Sequence, residues 1–289
     1  MAPRQIATAV ALVLTLALAG CSAPRAAAGP SEPDAGHSAP MAAAAIAVIG
    51  DSMSLGVNAC AEIGPCPSVS WALGDDATVN SVATRLEAAE QSPREHVWAA
   101  TDGGKAAGAV SQVEKVVGSG AGLVMVLIGA NDACAPSIDE VTAPDDFAAS
   151  YRELLTGISG GLPNATILAL SVPDLLQLWS VARDDPRAVA LWDKSPSCRS
   201  LLADADSDAA AALDRRAQVD ATVDEYNAII GQTCADTAGC IWDGGALHAE
   251  SFTEAQISTI DYFHAAASGQ ARISEVAWSA LEPALPLGG

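Results

Sequence analysis

"GLVMVLIGAND", Gly122 to Asp132, decides how the chain is read. Seven apolar residues run unbroken to Ile128, and a glycine, an asparagine and an aspartate follow at once. A strand with one wet face would alternate apolar and polar side chains. This run does not, so it reads as a strand covered on both faces, the kind found in parallel sheets. Working outward, similar short runs occur at Ala45–Ile49, His96–Ala100, Ala165–Leu170 and Cys240–Trp242. Between them lie helical patterns at Val79–Ala89, Lys105–Val117, Pro144–Ile158, Asp206–Ile230 and Gly269–Leu281, and Pro144 is tolerated in a first turn. The alternation predicts a three-layer α/β/α sandwich around a mainly parallel sheet of about five strands. Leu175–Ser197 carries Pro186, Pro196 and two tryptophans and reads as a long irregular insertion held by Cys198.

The chain has 289 residues and a formal net charge of −21. A surface this acidic argues against nucleic acid and anionic headgroups as partners, and a monomer is expected. Arg4, the apolar stretch Ile6–Ala19 and then Gly20-Cys21 have the layout of an export signal rather than of a membrane span. Leu18-Ala19-Gly20-Cys21 resembles a bacterial lipobox, which implies lipidation of Cys21 and anchoring on the outer face of the cell membrane. Residues 1–20 are thus expected to be a signal peptide. Residues 21–41, rich in Ala, Pro and Ser, are expected to be a tether, and residues 42–289 the folded domain.

The remaining six cysteines suit an oxidising compartment. Cys60–Cys66 and Cys234–Cys240 are local pairs, and Cys134–Cys198 follows by elimination. No CxxC pair occurs and histidine is scarce, so no metal or other cofactor is expected.

Ligands of open α/β sheets bind beyond the carboxyl ends of the strands. Ser52 lies three residues past Ile49, and on its own it reads equally as a nucleophile and as a helix cap. Gly103 and Gly104 follow the second run and read as a turn or as backbone that approaches a ligand. Asn131 follows the third run and reads as a turn residue or as an amide donor to an oxyanion. Asp261 and His264, three apart in "DYFH", pair a carboxylate with a candidate general base. Gly157-Ile158-Ser159-Gly160-Gly161 matches a GxSxG pattern, but it follows a helix and precedes a strand, so it reads as a helix-ending turn.

Taken together, Gly50-Asp51-Ser52, Ala100-Thr101-Asp102-Gly103-Gly104, Gly129-Ala130-Asn131-Asp132 and Asp261-Tyr262-Phe263-His264 resemble, in order, the four blocks of the SGNH or GDSL hydrolases. The resemblance implies a flavodoxin-like fold and a Ser52–His264–Asp261 triad. It also implies an oxyanion hole from the Ser52 and Gly103 N–H groups and the Asn131 side chain. The glycine block departs from the family, with Trp98 and Asp102 where asparagine and serine are common, which leaves Gly103 and Gly104 as alternative donors.

The expected function is carboxylic ester hydrolysis by an esterase or lipase, with a lipid, glycan or small-molecule ester as substrate. An acyltransferase or acetyl esterase on cell-envelope glycans and a non-catalytic ligand-binding lipoprotein are the alternatives. Leu176, Leu178, Trp179 and Trp192 of the insertion either overhang the site or form a cluster of their own.

Overall fold

The computed structural model describes residues 45–90 and 94–285. The expected signal peptide, the expected lipidation site Cys21 and the expected tether lie outside them. The elements begin with β1 (Ala45–Gly50), α1 (Val82–Glu90), β2 (Glu95–Ala100), α2 (Ala106–Ala109), α3 (Val113–Ser119) and β3 (Leu123–Leu127). Then come α4 (Ala130–Ala133), α5 (Pro144–Gly161), β4 (Thr166–Ala169), α6 (Leu175–Ala182), α7 (Pro186–Trp192) and α8 (Arg199–Leu202). The chain closes with α9 (Ala210–Ala235), β5 (Cys240–Trp242) and α10 (Ala267–Leu281). None of the described helices is long and apolar enough to cross a membrane.

All neighbouring strands are parallel, in the order β2-β1-β3-β4-β5. Successive residues feed opposite cores. Ala47, Ile49, Val124, Val126, Ile167 and Ala169 pack among residues from α5, α6 and α9. Ile46, Val48, Leu123, Met125 and Leu168 pack with α1 and α10. Both faces being covered is why the strands lack polar alternation. In this strand order the chain runs one way from β1 to β2 and the other way from β1 to β3. The crevice beyond β1 and β3 is therefore the switch point where such folds bind ligands.

The insertion differs from expectation: Leu175–Ser197 is helical over most of its length. Asp174 accepts the Gln177 N–H and starts α6. Asp185 accepts the Arg187 N–H and starts α7, with Pro186 in the first turn, where its missing N–H costs nothing. Trp179 is buried, donates its Nε1–H to Ala205 O and carries the guanidinium groups of Arg183 and Arg216, each 4.3 Å from the ring centre. Disulfides join Cys60 to Cys66, Cys134 to Cys198 and Cys234 to Cys240, as expected.

A second difference lies after β1. No helix follows Ser52. Its carbonyl accepts the N–H groups of Leu55 and Val57 in a run of tight turns. Ser54 is fully buried in this run. Ser159 does lie in the last turn of a helix, α5, its hydroxyl donating to Thr156 O at 3.3 Å.

Candidate active site

The carboxyl ends of β1, β2 and β3 and the loop before α10 converge on one crevice. Gly50 ends β1 because nothing larger fits there: a Cβ would lie 2.7 Å from Leu127 O and 2.3 Å from Ser54 Oγ. The chain turns sharply, and Asp51 and Ser52 are drawn almost wholly out of solvent. The Ser52 hydroxyl makes no hydrogen bond among the described residues. It lines two cavities at once, together with Asn131, Phe263 and His264.

Asp261 accepts four hydrogen bonds. Oδ1 takes the N–H groups of Phe263 and His264, at 2.9 and 3.1 Å. Oδ2 takes His264 Nδ1 at 2.5 Å and Asn58 Nδ2 at 2.6 Å. Burial pushes the Asp261 carboxyl up, but the bonds from His264 and Asn58 and the charge on His264 outweigh it, and the group is held below the ordinary carboxylate range. An ionised carboxylate can only accept, so the neutral form of the His264 imidazole bears its hydrogen on Nδ1 and its lone pair on Nε2. His264 and Ser52 share the crevice without a hydrogen bond between them.

The loop holding this pair is clamped from its other side. Tyr262 adopts φ +53°, and Trp192 at the end of α7 donates its Nε1–H to Tyr262 O at 3.2 Å. The other described histidines are engaged elsewhere: His96 pairs with Glu87, and His248 with Asp224 and Val172 O.

Asn131 sits in α4, directly beyond β3. Its Nδ2 donates to Gly104 O at 3.1 Å and, less closely, to Asp51 Oδ2 at 3.3 Å. Asp51 Oδ1 accepts the Met53 N–H at 2.9 Å. Burial pushes the Asp51 carboxyl from 3.8 up to about 6, against the Met53 bond and the attraction of His264. The two glycines of the second block differ. The Gly104 N–H donates to Thr101 O at 2.9 Å, whereas the Gly103 N–H, at φ +70°, has no acceptor among the described residues. Gly103 lines the crevice with Ser52 and His264.

The two cavities differ in character. One, of about 70 Å³, is walled by Met53, Leu175, Leu178, Val181, Phe252 and Ile257. The other, of about 590 Å³, carries Asp102, Lys194, Ser195, Ser197 and Asp261 beside Leu191 and Trp192. The insertion therefore lines the crevice and joins the main core, rather than forming a cluster of its own. Trp179 packs in the core, while Leu178 faces one cavity and Trp192 the other.

A sequence model of GDSL-like lipases and acylhydrolases matches residues 46–277. The chain belongs to the GDSL-like lipase/acylhydrolase family. Its activity is thereby placed, at the level of the family, among the ester hydrolases. No curated protein matches the chain in sequence. Among solved structures it is similar to that of TesA, at 17% identity and a TM-score of 0.53, covering 83% of this chain and 99% of that one. It is also similar to the lipase/acylhydrolase from Enterococcus faecalis, at 15% identity and a TM-score of 0.52, covering 84% and 98%. At such identities the likeness is one of fold. The four blocks of this GDSL-family chain, far apart in sequence, all reach the same crevice.

Asn58 is the residue that sequence reasoning missed. It meets Asp261 across 203 positions, and no local pattern marks such a pairing.

Proposed function

We propose that this chain hydrolyses carboxylic esters, with Ser52 as nucleophile, His264 as general base and acid, and Asp261 as the group that orients the imidazole. The observation carrying this reading is the 2.5 Å His264–Asp261 hydrogen bond beside an unbonded serine hydroxyl at the meeting point of two cavities. Nε2 takes the Ser52 proton as Oγ bonds to the ester carbonyl carbon, and the carbonyl electron pair moves onto oxygen. The Ser52 and Gly103 N–H groups and the Asn131 amide receive that oxyanion. The long Asn131–Asp51 contact leaves one amide hydrogen to be shared with it. The intermediate then expels the alcohol, which takes the proton from His264. Water attacks the acyl-Ser52 carbonyl by the same route and frees the acid. The Ser52–His264 bond forms once substrate excludes solvent, since such bonds are often long in empty sites.

The narrow apolar cavity suits the hydrocarbon of an acyl group, and the wide polar cavity suits the leaving alcohol. Lipid esters and acylated glycans both meet this description. Acyl transfer is the second reading, favoured by one observation: the 590 Å³ cavity has room for an acceptor alcohol in place of water. A chromogenic ester series from acetyl to palmitoyl tests the mechanism. Ser52→Ala lowers kcat/KM by at least ~10³-fold on every ester cleaved. Undiminished turnover by that variant refutes the mechanism. Ester exchange onto added glycerol, instead of acid release, identifies a transferase.

A further inference from the structure

Asn58 lies outside the four blocks, yet it is bonded at every polar atom. It adopts φ +56°, a left-handed conformation that asparagine tolerates better than most residues. Its main-chain N–H donates to Gly64 O at 2.8 Å, and its Oδ1 accepts the Gly64 N–H at 2.8 Å. Its carbonyl accepts the Ser258 hydroxyl at 2.6 Å. Gly64 belongs to the short loop closed by Cys60–Cys66, and that loop is tied down in turn where the Cys66 N–H meets Leu55 O and Gly56 O. With Oδ1 committed to Gly64, only the amide NH₂ can face Asp261, and it does so at 2.6 Å.

We propose that Asn58 is a positioning residue of the hydrolytic site, acting through Asp261 as the fourth member of a Ser52–His264–Asp261–Asn58 relay, with the Cys60–Cys66 loop as its mount. The inference rests on the triad reading above. Asp261 Oδ2 has two lone pairs in the carboxylate plane. His264 takes one and Asn58 the other, so the carboxylate cannot rotate away from the imidazole. The same bond draws charge from the carboxylate and moderates how tightly it holds the imidazolium. Without it, His264 becomes more basic and less well aligned. Other charged groups also face the pair: Asp51 from the turn after β1, Asp102 from the end of β2, and Lys194 from the insertion. The Asp185–Arg187 pair lies against Tyr262. All of these are unchanged when residue 58 alone is altered.

The test compares full-length wild type, Asn58→Gly, Asn58→Asp and Ser52→Ala by pH profiles of kcat and KM on one short ester. Glycine keeps the backbone conformation and removes the amide. Aspartate keeps an acceptor for the Gly64 N–H and sets a second carboxylate beside Asp261. Asn58→Gly is expected to lower kcat by about 10- to 100-fold with little change in KM. The acid limb of kcat/KM should move to higher pH by about half a unit or more, and further still in Asn58→Asp. A merely structural role would lower the melting temperature and leave the acid limb in place. A wild-type kcat and acid limb in whichever of the two variants folds, with Ser52→Ala inactive, overturns the proposal. If Ser52→Ala remains active, it is the triad reading that fails.

Discussion

Asp51 provides the sharpest quantitative test, because a carboxylate with almost no solvent contact sits one residue from the proposed nucleophile, Ser52. Burial outweighs the Met53 hydrogen bond and the attraction of His264, and Asp132 and Asp102 add repulsion, so the group rises from 3.8 to about 6. At about 1.4 kcal/mol per tenfold, that rise amounts to about 3 kcal/mol. The sign follows from proton binding: between about pH 4 and 6 the folded chain holds a proton that the unfolded chain has lost. Stability from this group is therefore fully present below pH 4 and is lost as pH rises through 6.

Asp51→Asn removes the titration while keeping an acceptor for the Met53 N–H. Urea unfolding with disulfides intact, followed by tryptophan fluorescence from pH 4 to 8, measures the difference between wild type and variant. The variant should gain up to about 3 kcal/mol relative to wild type between pH 4 and pH 7.5. Asp132, raised chiefly by burial, and Asp261, held low, titrate in both proteins and cancel from the difference, apart from the Asp51–Asp132 repulsion. A difference that stays constant from pH 4 to 8 would refute the reasoning. The expected result means that the molecule gives up stability near neutrality to keep an anion beside Asn131 and Ser52.

Two further predictions follow from the site. Asn131→Ala should lower kcat by about 10²- to 10³-fold with a nearly unchanged KM, because in the proposed mechanism its amide serves the oxyanion rather than the bound ester; steady-state kinetics showing the loss in KM instead would remove it from that role. Leu178→Trp fills the apolar cavity, so activity on long acyl chains should fall by about tenfold or more relative to acetyl esters in the same chromogenic series, and a uniform loss across chain lengths would mean that the acyl group lies elsewhere.

The sheet was legible because its strands are buried on both faces and so leave apolar runs such as Gly122–Ile128 that only a narrow class of folds explains. The four site blocks were legible because each follows one of those runs or precedes the closing helix. The insertion was misread because α6 and α7 are short and Pro186 looked like a breaker. The signals that start them are single aspartates, Asp174 and Asp185, whose caps are visible only once the N–H they accept is known. The Lys105–Val117 pattern proved to be α2 and α3 separated by a tighter turn, with Gly108 weakening the helix and Ser111 donating its hydroxyl back to Gly108 O. Ser52 looked like the start of a helix because serine and aspartate open helices often, but here consecutive turns satisfy the same backbone groups. Asn58 left no trace, since its role depends on a contact that exists only after the chain ends have met.

The order of the parts along the chain has its own consequence. Ser52 leaves the first strand, whereas Asp261 and His264 come after the last. A polypeptide emerging from its N-terminus carries its alcohol roughly two hundred residues before the base that would activate it. Until β5 has joined the sheet and the loop before α10 has closed over the crevice, that alcohol is as inert as any other serine. With Ser52 and His264 in the roles proposed, the hydrolase is thus silent while it is being made. On the proposed mechanism, ester cleavage first appears as a property of the finished molecule, so that the onset of turnover doubles as a clock for the completion of folding.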